Sequence, residues 1–381
     1  MRWCVILAVY LDNSATTPVC DEAIECVNIA MRDCWGNPSS LHGAGIEAEK
    51  LLTDAQLKAA KLLGCAAEEI FFTSGGTESN NLALFGAANA LRRRGNRIVT
   101  SAVEHPSVLQ AAKQLEAQGF EVIRLGVDKG GVISTDELFD AVNEKTVLVS
   151  IMAVNNETGS VQPIDKLRTA VKRAGAPALV HVDAVQAFGK MPVNVRKLGI
   201  DLLSASSHKI HGPKGVGLLY KAKAAKITPQ LFGGEQQQQL RPGTQPMPAI
   251  AGFAGAMSAL PNINEQFTVT SSLRNRFLSQ LSELDFVSVN SPESALPYVI
   301  NISLNGMRSE TLLNFLSDKE IYVSSGSACA KGHRSYVLEA MGLDPAQIDG
   351  ALRVSLSRFT TEEDLNTLVS ALKDARRILR R

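Results

Sequence analysis

The sequence has no long basic block, no apolar run of bilayer length, no Cys-x-x-Cys pair and no evident internal repeat. Each absence removes a class of function. The Lys and Arg residues are scattered and the formal net charge is +1, so phosphate-backbone binding is not the main activity and nucleic acid is not an expected partner. The one membrane-like stretch, Cys4 to Leu11, is far too short to cross a bilayer and has no small-residue cleavage signature behind it. It reads as a buried strand, and no membrane partner is expected. The six cysteines (Cys4, Cys20, Cys26, Cys34, Cys65 and Cys329) lack His partners at zinc spacing, so no metal is expected and a reducing, cytoplasmic setting fits best. Four of them fall in the first 34 residues, where the role of small buried hydrophobes is favoured over a metal or a disulfide. A Walker lysine and a dinucleotide fingerprint are also missing, which weakens any nucleoside-triphosphate or NAD reading.

What is present is a chain of 381 residues, 45% hydrophobic and 20% charged, enough for a substantial core and two domains. Between about Leu51 and Tyr220, β-branched runs alternate with amphipathic stretches, the pattern of a mainly parallel sheet covered by helices. The expected strands are Ile70–Thr73, Arg97–Ser101, Glu121–Leu125, Val147–Val154, Ala178–Val182, Leu202–Ser206 and Val216–Tyr220. Helices are expected at Glu78–Leu91 and Pro106–Gln118. After Gly233 a glutamine run and a Pro/Gly-rich segment read as an exposed loop, followed by a helix over Pro248–Leu260. From about Asn262 a second, smaller domain with an antiparallel sheet is expected, ending in the helix Glu362–Leu379.

Ligands of open α/β sheets bind at the carboxyl ends of the strands, and that edge collects polar residues here. Lys209 follows the strand Leu202–Ser206, where desolvation would lower its pKa and free its amine for covalent chemistry with a carbonyl group. A lone lysine after a strand is more often a surface residue, so its neighbours decide. Asp183 closes another strand and either caps the turn at Ala184 or holds a protonated pyridine nitrogen. Gln186 lies three residues on, within reach of a ring oxygen. In Phe72-Thr-Ser-Gly-Gly-Thr77-Glu, a glycine turn leads into a helix whose N-terminus is either simply capped or a phosphate cup. His105, just past Arg97–Ser101, is either a surface histidine or an imidazole that stacks on a flat cofactor and shuttles protons. Asn155 and Asn156 follow a further strand. Five strand ends converge on one edge, which chance explains poorly.

Cys329 sits in Ser324-Ser-Gly-Ser-Ala-Cys-Ala-Lys-Gly-His-Arg, too small-residued to build a core and expected to be mobile. Lys331, His333 and Arg334 would favour its thiolate. Arg353, on an expected strand Ala351–Ser355, either pairs with a substrate carboxylate or makes a structural salt bridge.

In combination these residues resemble the cysteine desulfurases of the class V aminotransferase family, the group of bacterial iron–sulfur-cluster and nitrogen-fixation (IscS/NifS-like) desulfurases. The resemblance runs through Tyr10-Leu-Asp-Asn-Ser-Ala-Thr-Thr-Pro, Gly36-Asn-Pro-Ser-Ser-Leu-His, Thr73-Ser-Gly-Gly-Thr-Glu-Ser-Asn-Asn, Glu104-His-Pro and Val154-Asn-Asn-Glu-Thr-Gly. It continues through His181-Val-Asp-Ala-Val-Gln, Ser206-Ser-His-Lys-Ile-His-Gly-Pro-Lys-Gly, Arg241-Pro-Gly-Thr, Ser325-Gly-Ser-Ala-Cys and Arg353-Val-Ser-Leu-Ser-Arg-Phe-Thr.

The resemblance implies an α/β fold of the fold-type I pyridoxal-phosphate transferases, with a mainly parallel seven-stranded sheet in the large domain and a smaller α+β domain. The expected division is a segment 1–17 packing with the small domain, a large cofactor-binding domain 18–260, and a small domain 261–381 carrying the Cys329 loop. It implies pyridoxal 5'-phosphate on Lys209, His105 stacked on the ring, Asp183 at the pyridine nitrogen and Gln186 near the phenolic oxygen. Gly76, Thr77, Ser206 and His208 would hold the phosphate, joined by Thr244 from the other subunit of a homodimer. Asn156 and Arg353 would orient L-cysteine, Lys209 would move its α-proton, and His105 would donate or accept protons. The Cys329 thiolate would take the sulfur as a persulfide, leaving L-alanine, and pass it to a scaffold or thiolation protein or to a thiol reductant. A selenocysteine lyase or another class V enzyme is the alternative, and a non-enzymatic sulfur carrier or scaffold is disfavoured by Lys209, Asp183 and His105 standing together. The segment after Cys329 is shorter than in housekeeping members, the chain ends at Arg381 without their scaffold-gripping tail, and Glu235 with four glutamines replaces the usual segment near the dimer loop. The first two argue against delivery to distant acceptors and against the usual scaffold partner.

Overall fold

Continuous apolar runs set the centre of the molecule. In the computed structural model, which describes residues 8–325 and 334–379, the strand Thr146–Met152 is buried along its whole length, as a strand covered on both faces must be. With the short β1 (Val9–Tyr10) lying elsewhere, the main sheet contains β2 (Ile70–Thr73), β3 (Arg97–Ser101), β4 (Glu121–Leu125), β5 (Thr146–Met152), β6 (Leu179–Asp183), β7 (Leu202–Ser206) and β8 (Gly217–Lys221). Their order is β2-β8-β7-β6-β5-β3-β4. β8 runs antiparallel to both its neighbours, and the other pairings are parallel.

Successive side chains of a strand point to opposite faces, and two cores form accordingly. Phe72, Val149, Leu203 and Leu218 belong to one core with Phe253 and Ile250. Their neighbours Phe71, Leu148, Leu202 and Leu219 belong to the other, where Leu84 and Ala87 of the helix Gly76–Leu91 cover them. Each fully buried Leu or Phe contributes roughly 1.5–3 kcal/mol.

A third core lies on a second sheet, in which β9 (Val287–Val289), β10 (Val299–Leu304) and β12 (Ala351–Ser355) pair antiparallel in the order β12-β10-β9. Ile300, Ile302, Leu352 and Val354 face this core with Phe277, Leu368 and Leu372. Asn301 and Arg353, which stand opposite each other in register, therefore project from the other face. β1 pairs in parallel with β11 (Ile321–Tyr322), and Leu11 joins the same core. The chain then crosses to the main sheet, where Thr17 and Cys20 donate their N–H groups to the carbonyls of His208 and His211 at 3.0 and 2.9 Å.

The differences from the expected elements are local. Among the described residues of the apolar stretch, Val9–Tyr10 is strand and half-buried; Cys4 lies outside the described residues. β5 stops at Met152 because Val154 leaves it to bridge Val161. The helix expected over Pro248–Leu260 spans Met247–Ser258, with Pro248 in its first turn, where the missing N–H has no partner to lose. Cys20 is buried, but Cys26 and Cys34 are only half-buried, and no disulfide joins these or Cys65. Among the described residues no helix is long and apolar enough to cross a membrane.

Two glycines give the packing a direct test. A Cβ on Gly217 would lie 2.6 Å from the Ala205 carbonyl oxygen and 2.7 Å from Gly75 Cα, whereas one on Gly43 would meet nothing within 4 Å. Gly217→Ala is expected to lower the unfolding free energy by roughly 1–3 kcal/mol in denaturant titration, and Gly43→Ala to leave it unchanged or raised. Equal effects would contradict the close approach of β8 to the glycine turn.

Candidate active site

The carboxyl ends of five strands open into one cavity of ≈ 570 Å³. Gly76 and Thr77 reach it beyond β2, His105 beyond β3, and Asn156 beyond β5. Asp183 ends β6, with Gln186 on the turn that follows, while Ser206, His208 and Lys209 close β7. Arg353 enters from the second sheet. Thr244 is exposed and does not line this cavity. Cys329 lies outside the described residues, but the chain on both sides of its segment is at the site. Ser324 pairs through its backbone with Arg353, and Arg334, Ser335 and Tyr336 line the cavity.

Lys209 is held by backbone. Its Nζ donates to the carbonyl of Ser14 and, at 2.8 Å, to that of Ala15. Burial lowers its pKa to about 7, reinforced by Lys190 and Arg353 and opposed by Asp12 and Asp183. A large fraction of the amine is therefore neutral near pH 7, as a nucleophile or proton acceptor must be.

The start of the helix Gly76–Leu91 is open. Its N-cap, Gly75, offers no capping side chain, and the N–H groups of Gly76 and Thr77 have no acceptor among the described residues. No side chain caps this helix, and its free N–H groups and dipole favour negative charge there. A Cβ on Gly76 would come 2.7 Å from Val185 Cγ2, so glycine keeps the floor of this cup clear. His208 borders it with its pKa lowered to about 4, chiefly by burial. Its Nδ1 lies 3.1 Å from Thr16 Oγ1.

Asp183 takes the first of the two roles left open for it, that of forming the turn. One oxygen accepts the Val185 N–H at 3.0 Å, forming the turn, and the other accepts from Asn80 Nδ2 at 2.7 Å. Gln186 donates from Nε2 to the Ser14 carbonyl at 3.0 Å. His105 caps the helix Pro106–Ala117 by accepting the Ser107 N–H at Nδ1, 3.1 Å away. That bond assigns the remaining proton of the neutral ring to Nε2. Burial lowers the pKa of His105, with Lys209 in the same sense and Asp183 opposing.

Arg353 makes the structural salt bridge that was one of its two alternatives. Nη2 pairs with Asp12 Oδ1 at 2.8 Å and Nη1 donates to the Asn156 carbonyl at 3.0 Å. Its Nε and the amide oxygen of Asn156 are buried without partners among the described residues, as is Ser14 Oγ. Buried polar groups without partners are costly, and three of them on one cavity wall describe a site that a polar ligand completes. Arg334, expected to favour the Cys329 thiolate, spends its guanidinium on Asp349 through two bonds of 2.7 and 2.9 Å.

Asp12, Asn80, Glu104, Glu157 and Lys190 were not singled out from the sequence. Asp12 belongs to the quoted motif Tyr10-Leu-Asp, and Glu104 and Glu157 adjoin chosen residues; Lys190 carried no local signal. Burial raises Glu104 to about 8, with Asp183 adding to it and the bonds from Ser101 and Met152 opposing. Burial likewise raises Glu157 to about 7 against the Ser335 hydrogen bond and Arg353.

Residues 9–368 match the family described as aminotransferase class-V. The chain is 43% identical over 371 residues to the cysteine desulfurase IscS of Methanosarcina thermophila, covering 96% of this chain and 91% of that protein. A solved NifS-like protein superposes with a TM-score of 0.91 at 41% identity, over 96% of this chain and 98% of the other. A structure described as SspA in complex with cysteine gives 0.82 at 33% identity, over 92% and 99%.

Glu104 supplies a pH test. From the ordinary carboxyl range, about 4.3, up to about 8, the folded protein holds a proton that the unfolded chain has released, so stability falls as pH rises through that window. Glu104→Gln cannot ionise, and its melting temperature is expected to fall less between pH 5.5 and pH 8. Parallel pH curves for variant and wild type would contradict the buried, protonated carboxyl.

Proposed function

The chain belongs to the class-V aminotransferase family, and from that premise we propose that it is a pyridoxal-phosphate-dependent cysteine desulfurase. It converts L-cysteine to L-alanine and leaves the sulfur on Cys329. The observation that carries this reading is the buried amine of Lys209, held by two backbone carbonyls in one cavity with an open helix N-terminus and the Asp183 carboxylate. Such a site fits a flat, phosphorylated, cationic heterocycle with an aldehyde. Lys209 would hold the aldehyde carbon, Asp183 the pyridine nitrogen and Gln186 the phenolic oxygen, with His105 against the ring. Gly76, Thr77, Ser206 and His208 would take the phosphate, with Thr244 from a second copy. The bound group supplies an electron sink for the pair left when Cα loses its proton.

The chain's own residues do the rest. Arg353 offers its unpaired Nε to the substrate carboxylate beside Asn156, while Asp12 fixes the guanidinium plane. Lys209, once released by the substrate's amine, takes the proton from Cα, and His105 Nε2 exchanges a proton at the cavity wall. The Cys329 thiolate attacks the substrate sulfur: an S–S bond forms, the carbon–sulfur bond breaks, and protonation of carbon gives alanine. Cysteine plus the enzyme thiol thus becomes alanine plus the enzyme persulfide, with no outside oxidant or reductant. The anchoring of Ser324 to Arg353 and the placement of Arg334 and Ser335 at the cavity support Cys329 as the acceptor.

A homodimer is proposed on two grounds. Leu41 and Phe232 are 97% and 89% exposed, large apolar side chains available to a partner copy, and Thr244 is exposed and lines no part of its own subunit's cavity. The next acceptor of the sulfur is an iron–sulfur scaffold, a thiolation enzyme or a thiol reductant. The unpaired cysteines Cys20, Cys26, Cys34 and Cys65 fit a reducing cytoplasm.

The test is to supply L-cysteine with a thiol reductant to wild type and to Cys329→Ala, following alanine and sulfide. Both products are expected from wild type, with near-complete loss in the variant. Sulfide release from Cys329→Ala at the wild-type rate would remove the persulfide role.

A further inference from the structure

The mechanism leaves unused a second buried lysine that shares a cavity wall with Lys209. Lys190 is 7% exposed and follows the turn that carries Asp183 and Gln186, just after Gly189. Its ammonium lies 3.4 Å from Gln186 Oε1 and 5.7 Å from the centre of the Tyr298 ring. No carboxylate among the described residues pairs with it. Lys190 and Lys209 line one small cavity of ≈ 30 Å³, room enough for ordered water, and no acidic residue among the described ones lines it.

We propose that Lys190 is a positioning residue for Lys209: its charge, acting across the shared cavity, keeps the Lys209 nitrogen a free amine, and its contact with Gln186 orients the groups that hold that nitrogen. The second part follows from the bonds. Lys190 engages Gln186 Oε1, so the amide presents Nε2 to the Ser14 carbonyl, and that carbonyl also receives Lys209 Nζ. The first part follows from burial without a counter-ion, since a nearby like charge in a buried site disfavours a second one. A neighbouring cation is one of the established ways to activate an amine.

The surrounding charges agree with this assignment. After burial, Lys190 is the foremost influence lowering the basicity of Lys209, ahead of Arg353, while Asp12 and Asp183 oppose both. Burial lowers Lys190 itself to about 8, so it stays mostly charged at pH 7. His208 and His211, each lowered to about 4 chiefly by burial, add no charge there. Of the remaining groups lining the small cavity, Arg358 donates to the Ala259 carbonyl and is not among the charges acting on Lys209, and the Tyr298 phenol, raised by burial, is neutral.

The inference rests on reading Lys209 as the reactive amine, and its test needs neither cofactor nor L-cysteine, so its failure would leave the desulfurase reading standing. The full chain, stripped of cofactor, is trace-labelled with acetic anhydride across the neutral pH range. Labelling of the Lys209 peptide is measured by mass spectrometry against exposed Lys113 and Lys129. Lys190→Met is expected to raise the Lys209 midpoint by about one pH unit, a roughly fivefold loss of labelling at pH 7, and Lys190→Arg to keep the low midpoint. Removing an unpaired buried charge should not impair folding; should Lys190→Met melt early, Lys190→Gln gives the same readout. A Lys209 midpoint unchanged in Lys190→Met, or labelling reduced by one factor at every pH, would overturn the proposal.

Discussion

The structure turns on the two backbone carbonyls, of Ser14 and Ala15, that receive the Lys209 nitrogen. A buried amine needs acceptors, and a carboxylate would have served by fixing the charge. Carbonyls satisfy the N–H groups without demanding an ammonium, so dehydration can act on the pKa unopposed by an ion pair. The acceptors are supplied by a segment whose preceding residues, Val9 to Leu11, pair with β11 and pack on the core of the second sheet. Both cores must therefore be assembled before Lys209 is held.

The same dependence governs the substrate side. Arg353 stands on a strand whose alternate residues, Leu352 and Val354, anchor the second core, and period-two geometry turns it toward the cavity. Asp12, from the crossing segment, fixes its guanidinium at 2.8 Å. The ion pair joins two buried or half-buried groups, so loss of either partner leaves the other desolvated and unpaired. Lysine and arginine are thus oriented by neighbouring residues of one N-terminal run, Asp12 to Ala15, across the junction of the two sheets.

Much of this was legible in the sequence because it depends on local pattern. The strands Ile70–Thr73, Arg97–Ser101, Glu121–Leu125 and Leu202–Ser206 occur at the expected bounds, since apolar runs between turn residues specify buried strands without reference to the rest of the chain. The convergence of Asp183, His105, Thr77 and Lys209 followed from strand ends alone. The acceptors of Lys209 did not, because a main-chain carbonyl carries no residue signature and the contact spans almost two hundred positions. Lys190 resembles a surface lysine by type, and only the packing of Tyr298 and Gln186 over it reveals a buried charge. For Asp183 and Arg353 the structural readings are the ones that form: the turn uses one carboxylate oxygen and the salt bridge one guanidinium nitrogen, while Arg353 Nε has no partner among the described residues.

The central claim is that Lys209 is the covalent anchor, and the most direct measurement is borohydride reduction of the purified protein followed by peptide mapping. Reduction would fix the cofactor to whichever nitrogen holds it. The account predicts the added mass of reduced pyridoxal phosphate on the Lys209 peptide and on no other. The same mass on the Lys190 peptide, or a protein that keeps its visible absorbance with Lys209 unmodified, would contradict it.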